Sequence, residues 1–229
     1  MTALEVEALG LSLRVAGCAM VVSLPLALLV AWLLARCDFV GKTVLDGIVH
    51  LPLVLPPVVI GYLLLIALGP RGPVGVFLDQ ALGVSVAFTW QGAAVAAGVM
   101  AFPLMVRPIR QSLELIDRRL EGAARTLGSA PWRVFATVTL PLAAPGIVIG
   151  MILAFARSLG EFGATITFVS NIPGETRTLP IALYSVLQTP GGDASAIRIV
   201  VISVVLAFIA LIASEMLSRR VLYLTGAKT

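Results

Sequence analysis

ELIDRRLEGAARTLGSAPWRVFATVTLP, Glu114 to Pro141, is the one long polar stretch in a chain that otherwise reads as apolar. With Arg107 and Arg110 just ahead of it, it holds six of the sixteen basic residues. The 229-residue chain is 59% hydrophobic and 12% charged, with a mean hydropathy of +1.04. A soluble domain with so few charges would not stay dispersed, so the bilayer is the expected solvent. The polar stretch is then a loop between apolar spans, and its reading decides what the spans are for.

Working outward, uncharged runs lie between Arg14 and Arg36, Asp46 and Arg71, Asp79 and Arg107, and Arg133 and Arg157. The first has 21 residues, enough to cross a hydrocarbon core of roughly 30 Å at about 1.5 Å per residue. A shorter run near Ile199–Ser214 extends to a fifth. The expected fold is an all-α polytopic membrane protein in one domain, 1–229, with about five transmembrane helices near 12–35, 47–69, 84–106, 134–158 and 197–217. The polar loop occupies 107–133. Pro25, Pro52, Pro56 and Pro57 fall inside spans, where they bend helices or serve as hinges. Gly160–Gly192 is too broken by Pro and Gly to span. It is either an external loop or a segment entering the membrane against protein, with IALYSVLQ as a short helix.

The basic residues set the orientation. With the N-terminus outside, the inner segments hold eleven of them: Arg36, Lys42, the six around the polar loop, Arg219, Arg220 and Lys228. Five lie elsewhere. Inverting the chain would put the six-arginine loop outside, against the positive-inside rule, so the loop and the C-terminus are expected in the cytoplasm. Basic residues in short blocks between apolar runs are orientation signals, and no nucleic acid is expected as a partner. Cys18 and Cys37 lack metal or disulfide spacing, and His50 stands without other ligands, so it is expected to hydrogen-bond near a helix end.

Within the loop, Leu113, Ile116, Leu120, Ala123, Ala124 and Leu127 recur at steps of three and four, one face of a helix. Glu114–Arg118 and Glu121–Arg125 stand at i,i+4 on the other face. Gly128 suits a helix C-terminus, and Pro131 the start of the next helix. Such a helix either lies on lipid headgroups or docks a protein. The small residues Gly122, Ala123 and Ala124 weaken lipid insertion and permit close approach, favouring docking.

The pattern Ala123-Ala124-x3-Gly128-x9-Val138-x-Leu140-Pro141 resembles the EAA signature of binding-protein-dependent ABC importer permeases. The resemblance runs over nearly the whole chain, including His50–Leu65 and Ala156–Pro180, and the latter stretch looks specifically like the molybdate branch and more distantly like sulfate permeases. The family's Glu position falls on Gly122, with Glu121 one residue early, and Val138 stands for the usual Ile. The resemblance implies a type I importer permease of the bacterial inner membrane. It further implies a homodimer with the path at its interface, two cytoplasmic ABC ATPase subunits, and an external molybdate-binding protein that supplies most of the selectivity. The ATPase-coupling residues it implies are Leu120, Glu121, Gly122, Ala123, Ala124, Leu127, Gly128, Leu140 and Pro141. Gly41-Lys42-Thr43 imitates the end of a P-loop, but Arg36 stands where its first Gly is needed. No cofactor is expected in this chain, and ATP is expected to act through a partner.

For the path itself, Arg157 and Glu161 lie one helical turn apart at the outer end of the fourth span. They either lock the helix end or line the anion path with Thr165, Thr167 and Ser170. An ion-coupled secondary transporter would show carboxylates deep in its spans or internal repeats, and neither is evident. An intramembrane hydrolase built on Ser158 or Ser203 lacks an activating base. Sulfate, thiosulfate and tungstate remain alternative substrates.

Overall fold

The computed structural model describes residues 2–224, without the side chains of residues 214, 215 and 217–224. Arg219, Arg220 and Lys228, part of the orientation argument, lie outside the described side chains and residues. The chain forms α1 (Ala3–Arg36), α2 (Lys42–Val54), α3 (Pro57–Leu68), α4 (Pro73–Leu82), α5 (Trp90–Leu115), α6 (Arg118–Thr126), α7 (Pro131–Val134), a π-helical segment Phe135–Thr139, α8 (Leu140–Leu159), α9 (Gly163–Val169), α10 (Leu179–Leu187) and α11 (Asp193–Leu224). Among the described residues, four continuous helices are long and apolar enough to cross a membrane: Ala3–Arg36, Trp90–Leu115, Pro131–Leu159 and Asp193–Ala213.

The expected second span, 47–69, is not one helix. α2 and α3 meet at an angle of 116° around Leu55-Pro56-Pro57. Pro57 occupies the first turn of α3 and Pro56 its N-cap, so the prolines end one helix and start another rather than kinking a single one. Counting the bent pair as one unit gives five.

α5 is the central helix because its small residues let neighbours approach. Ala93, Ala96, Ala97, Met105, Val106 and Ile109 have no exposure. α1 runs parallel to it, with Val15 and Ala19 against its first half and Ala27–Leu34 against its second. α8 returns antiparallel. A Cβ on Gly150 would stand 2.7 Å from the Met105 carbonyl, and one on Gly146 would strike the Ser112 hydroxyl and the Pro108 carbonyl. Those glycines set the α5–α8 spacing. By contrast α11 shows Val201, Val204, Phe208 and Leu211 on its surface, as a lipid-facing helix does.

Gly160–Gly192 packs as protein. α9 buries Ala164, Phe168 and Val169 against α3 and α5, and Leu179 N–H of α10 donates to Ser12 Oγ of α1 at 2.8 Å. The expected IALYSVLQ helix is α10.

Polar contacts gather at the two ends of this bundle. At the end carrying α6 lie Arg36–Glu121, Lys42–Asp38 and an Asp46–Arg110–Glu114 cluster. At the opposite end lie Arg198–Glu5, Arg157–Glu161 and the Trp90 N–H donating to Glu175. Apolar contacts fill the depth between, which is how a bilayer sorts a polytopic chain.

Candidate functional site

The expected continuous helix from Leu113 to Leu127 is two helices. α5 ends at Leu115, and Asp117 then caps α6 by accepting a hydrogen bond from Arg119 N–H at 2.9 Å. Leu113 and Ile116 are buried with α5, whereas no residue of α6 is buried. The apolar periodicity ran straight through the break because Asp117 falls on the polar face. An N-cap aspartate ahead of Arg118 was the sequence signal for it. The first part of the expected loop, 107–115, is therefore still α5.

Both expected i,i+4 pairs are replaced. Glu114 accepts from Arg110 Nε at 2.8 Å, not from Arg118. Arg110 also reaches Asp46 at 3.0 Å, and Glu114 first, then Asp46, hold its guanidinium above its ordinary pKa. Glu121 turns away from Arg125. Its Oε1 accepts from Arg36 Nη2 at 3.0 Å and from the Thr139 hydroxyl at 2.7 Å. Arg36, Thr139 and Asp46 were not singled out by sequence reasoning, since partners 85, 18 and 64 residues apart leave no local pattern.

The end of α6 is as the sequence reads. Gly128 has φ +86°, its N–H donates to the Arg125 carbonyl, and Ser129 N–H donates to Ala124. This double closure turns the chain sharply towards α7. Leu120 and Leu127 are 51% and 86% exposed, and Gly122 faces open space. Leu140 and Pro141 open α8, just beyond the π-helical segment. α6 thus presents an open face beside small residues, with apolar side chains uncovered. That geometry is suited to entering a groove.

At the other end, Arg157 Nη1 lies 2.6 Å from Glu161 Oε2, while Glu161 Oε1 accepts from Ala164 N–H at the start of α9. Glu161 has 1% of its side chain exposed and Arg157 has 29%. The pair joins the end of α8 to α9. Thr165 and Thr167 donate their hydroxyls to the Phe162 and Gly163 carbonyls, both at 2.8 Å, and Ser170 is exposed at φ +64°. Of this set, Arg157 is the charged side chain that stays partly exposed. His50 Nδ1 sits 2.8 Å from the Asp46 carbonyl one turn earlier in α2, a backbone hydrogen bond. Gly41 begins α2 at φ +96°, and the Lys42 ammonium is engaged by Asp38.

The fold thus sets an exposed helix, α6, between two helices long and apolar enough to span a membrane. The model for binding-protein-dependent transport system inner membrane components matches residues 23–223, and the chain belongs to that family. Among its relatives, the molybdenum transport system permease protein ModB of Escherichia coli (strain K12) is 60% identical over 94% of each chain. The protein of the same description from Haemophilus influenzae is 58% identical over 95% of each. Solved structures share the fold at low identity. A bacterial ABC transporter involved in alginate import matches with TM-score 0.76 at 17% identity, covering 96% of this chain and 80% of that one. The methionine transporter MetNI, in an inward-facing conformation, matches with TM-score 0.66 at 20% identity, covering 95% and 94%.

Proposed function

We propose that this chain is the membrane subunit of an ATP-driven importer for molybdate, working as a homodimer with the oxyanion path at the interface. The observation that carries the reading is 60% identity to a molybdenum transport permease over nearly the whole of both chains. The N-terminus lies outside and α6 inside, an orientation supported by the basic residues clustered at the α6 end. Two ATPase subunits engage α6 and its flanks, and an external binding protein delivers molybdate at the opposite end. This chain carries no cofactor, and ATP is hydrolysed by the partner subunits. Nucleotide-driven closure of the ATPases displaces α6 and rocks the two permease copies between inward- and outward-facing states, a two-state rigid-body change.

Arg157 lines the path near the outer gate, with Glu161 holding it in place and Thr165, Thr167 and Ser170 downstream. A site with few donors binds the dianion weakly enough to release it, leaving discrimination to the external binding protein. Competitive uptake of labelled molybdate in membranes holding the assembled complex tests the substrate. Excess tungstate is expected to suppress uptake and excess sulfate to leave it largely intact. Equal competition by sulfate would overturn the substrate while leaving the transporter class in place.

A further inference from the structure

α6 is joined to the rest of the chain by two irregular joints. On one side the helix breaks at Ile116-Asp117, and on the other lie the Gly128 turn and the π-helical segment Phe135–Thr139. No side chain of α6 is buried, so apolar packing does not fix it to the bundle. A push on α6 would dissipate in such joints unless a side chain carried it across.

Glu121 supplies that link. Its carboxylate receives the Arg36 guanidinium from the last turn of α1 and the Thr139 hydroxyl from the π-helical segment, with side-chain exposures of 15% for Glu121 and 9% for Arg36. Successive helical residues point about 100° apart. A carboxylate at position 121 therefore faces the bundle, whereas one at 122, where a Cβ meets nothing within 4 Å, would face open space. The one-residue offset from the signature has a structural meaning: here the acid is turned inward. Arg36 stands at the end of the 34-residue helix that lies along α5 throughout its length.

We propose that Arg36 and Glu121 are positioning residues that transmit displacement of α6 directly to α1, so that α1 moves with the coupling helix. This rests on the proposed role of α6 as the element that receives work from the ATPase. The test uses the assembled complex in proteoliposomes, measuring molybdate imported and ATP hydrolysed together. Arg36→Gln and Glu121→Gln are each expected to raise the ATP consumed per molybdate about tenfold, with the double variant no worse than either single, because both break one contact. The charge-exchanged variant Arg36→Glu/Glu121→Arg is expected to recover most of the coupling, since the Thr139 hydroxyl can accept as well as donate. A merely structural pair would lower the amount of complex without changing that ratio. Single variants with wild-type coupling, losses that multiply in the double variant, or an exchange that restores nothing would each overturn the proposal. Absence of ATP-dependent uptake by the unaltered complex would instead overturn the transport reading beneath it.

Discussion

Removing the guanidinium of Arg157 leaves the Glu161 carboxylate, 1% exposed, without its countercharge. Breaking one half of such a pair costs about 3 kcal/mol, more than the intact pair contributes against a neutral replacement. Arg157→Ala is expected to lower the melting temperature of the purified complex, and Arg157→Ala/Glu161→Gln to regain most of the loss. Uptake is expected to be abolished in both, because the guanidinium proposed to line the path is missing in both. Wild-type uptake by the double variant would reduce Arg157 to a helix lock. Glu5 gives a pH-dependent counterpart in the first turn of α1, ahead of the first expected span. The Thr2 N–H and then the Arg198 guanidinium hold its carboxyl below the ordinary value of 4.5. A depressed carboxylate contributes stability that is present above its ordinary value and lost as pH falls through the lower folded value. Glu5→Gln is therefore expected to melt below wild type at pH 7, with the two curves converging as pH falls below the ordinary value of 4.5 and through the lower folded one. A constant offset across that range would show that the charge plays no part.

At the level of elements, the sequence made the spans legible and blurred their joints. Length and hydropathy located α1, α5, α8 and α11 because each buries or exposes an apolar face over twenty or more residues. The α2–α3 corner escaped because prolines in a membrane sequence read equally well as kinks, and only contact with α9 settles which. The break before α6 escaped because a stripe at helical spacing does not register a change of helix direction. The Gly128 turn was readable, since only a residue tolerant of positive φ closes a helix that way. Gly128→Ala is expected to cost about 1 kcal/mol of complex stability through backbone strain alone, since a Cβ there meets nothing within 4 Å. Differential scanning of the two complexes checks it, and a neutral result would place the strain elsewhere. For α6 itself, cysteine introduced at Ala123 or Ala124 is expected to cross-link to the ATPase subunit. Reaction with lipid-borne probes in its place would make α6 a headgroup helix.

As a whole molecule, the chain places its polar contacts at two ends and leaves the depth between them apolar. The candidate site divides along the same axis. The residues of α6 were recognisable from a contiguous signature, while Arg36, Thr139 and the Asp46–Arg110–Glu114 cluster became visible only when α1, α2 and α5 were brought together at one end. That arrangement fits a subunit that receives work at one end and moves cargo through the other. A secondary transporter of the same size would need an ion-binding carboxylate in its spans to draw on a gradient. The deciding measurement is molybdate uptake by proteoliposomes holding this chain, its ATPase subunits and the external binding protein, with ATP supplied only on the α6 side. Uptake is predicted to require that ATP and to persist when ionophores collapse every ion gradient. Uptake that proceeds without ATP and stops with the ionophores would contradict the account.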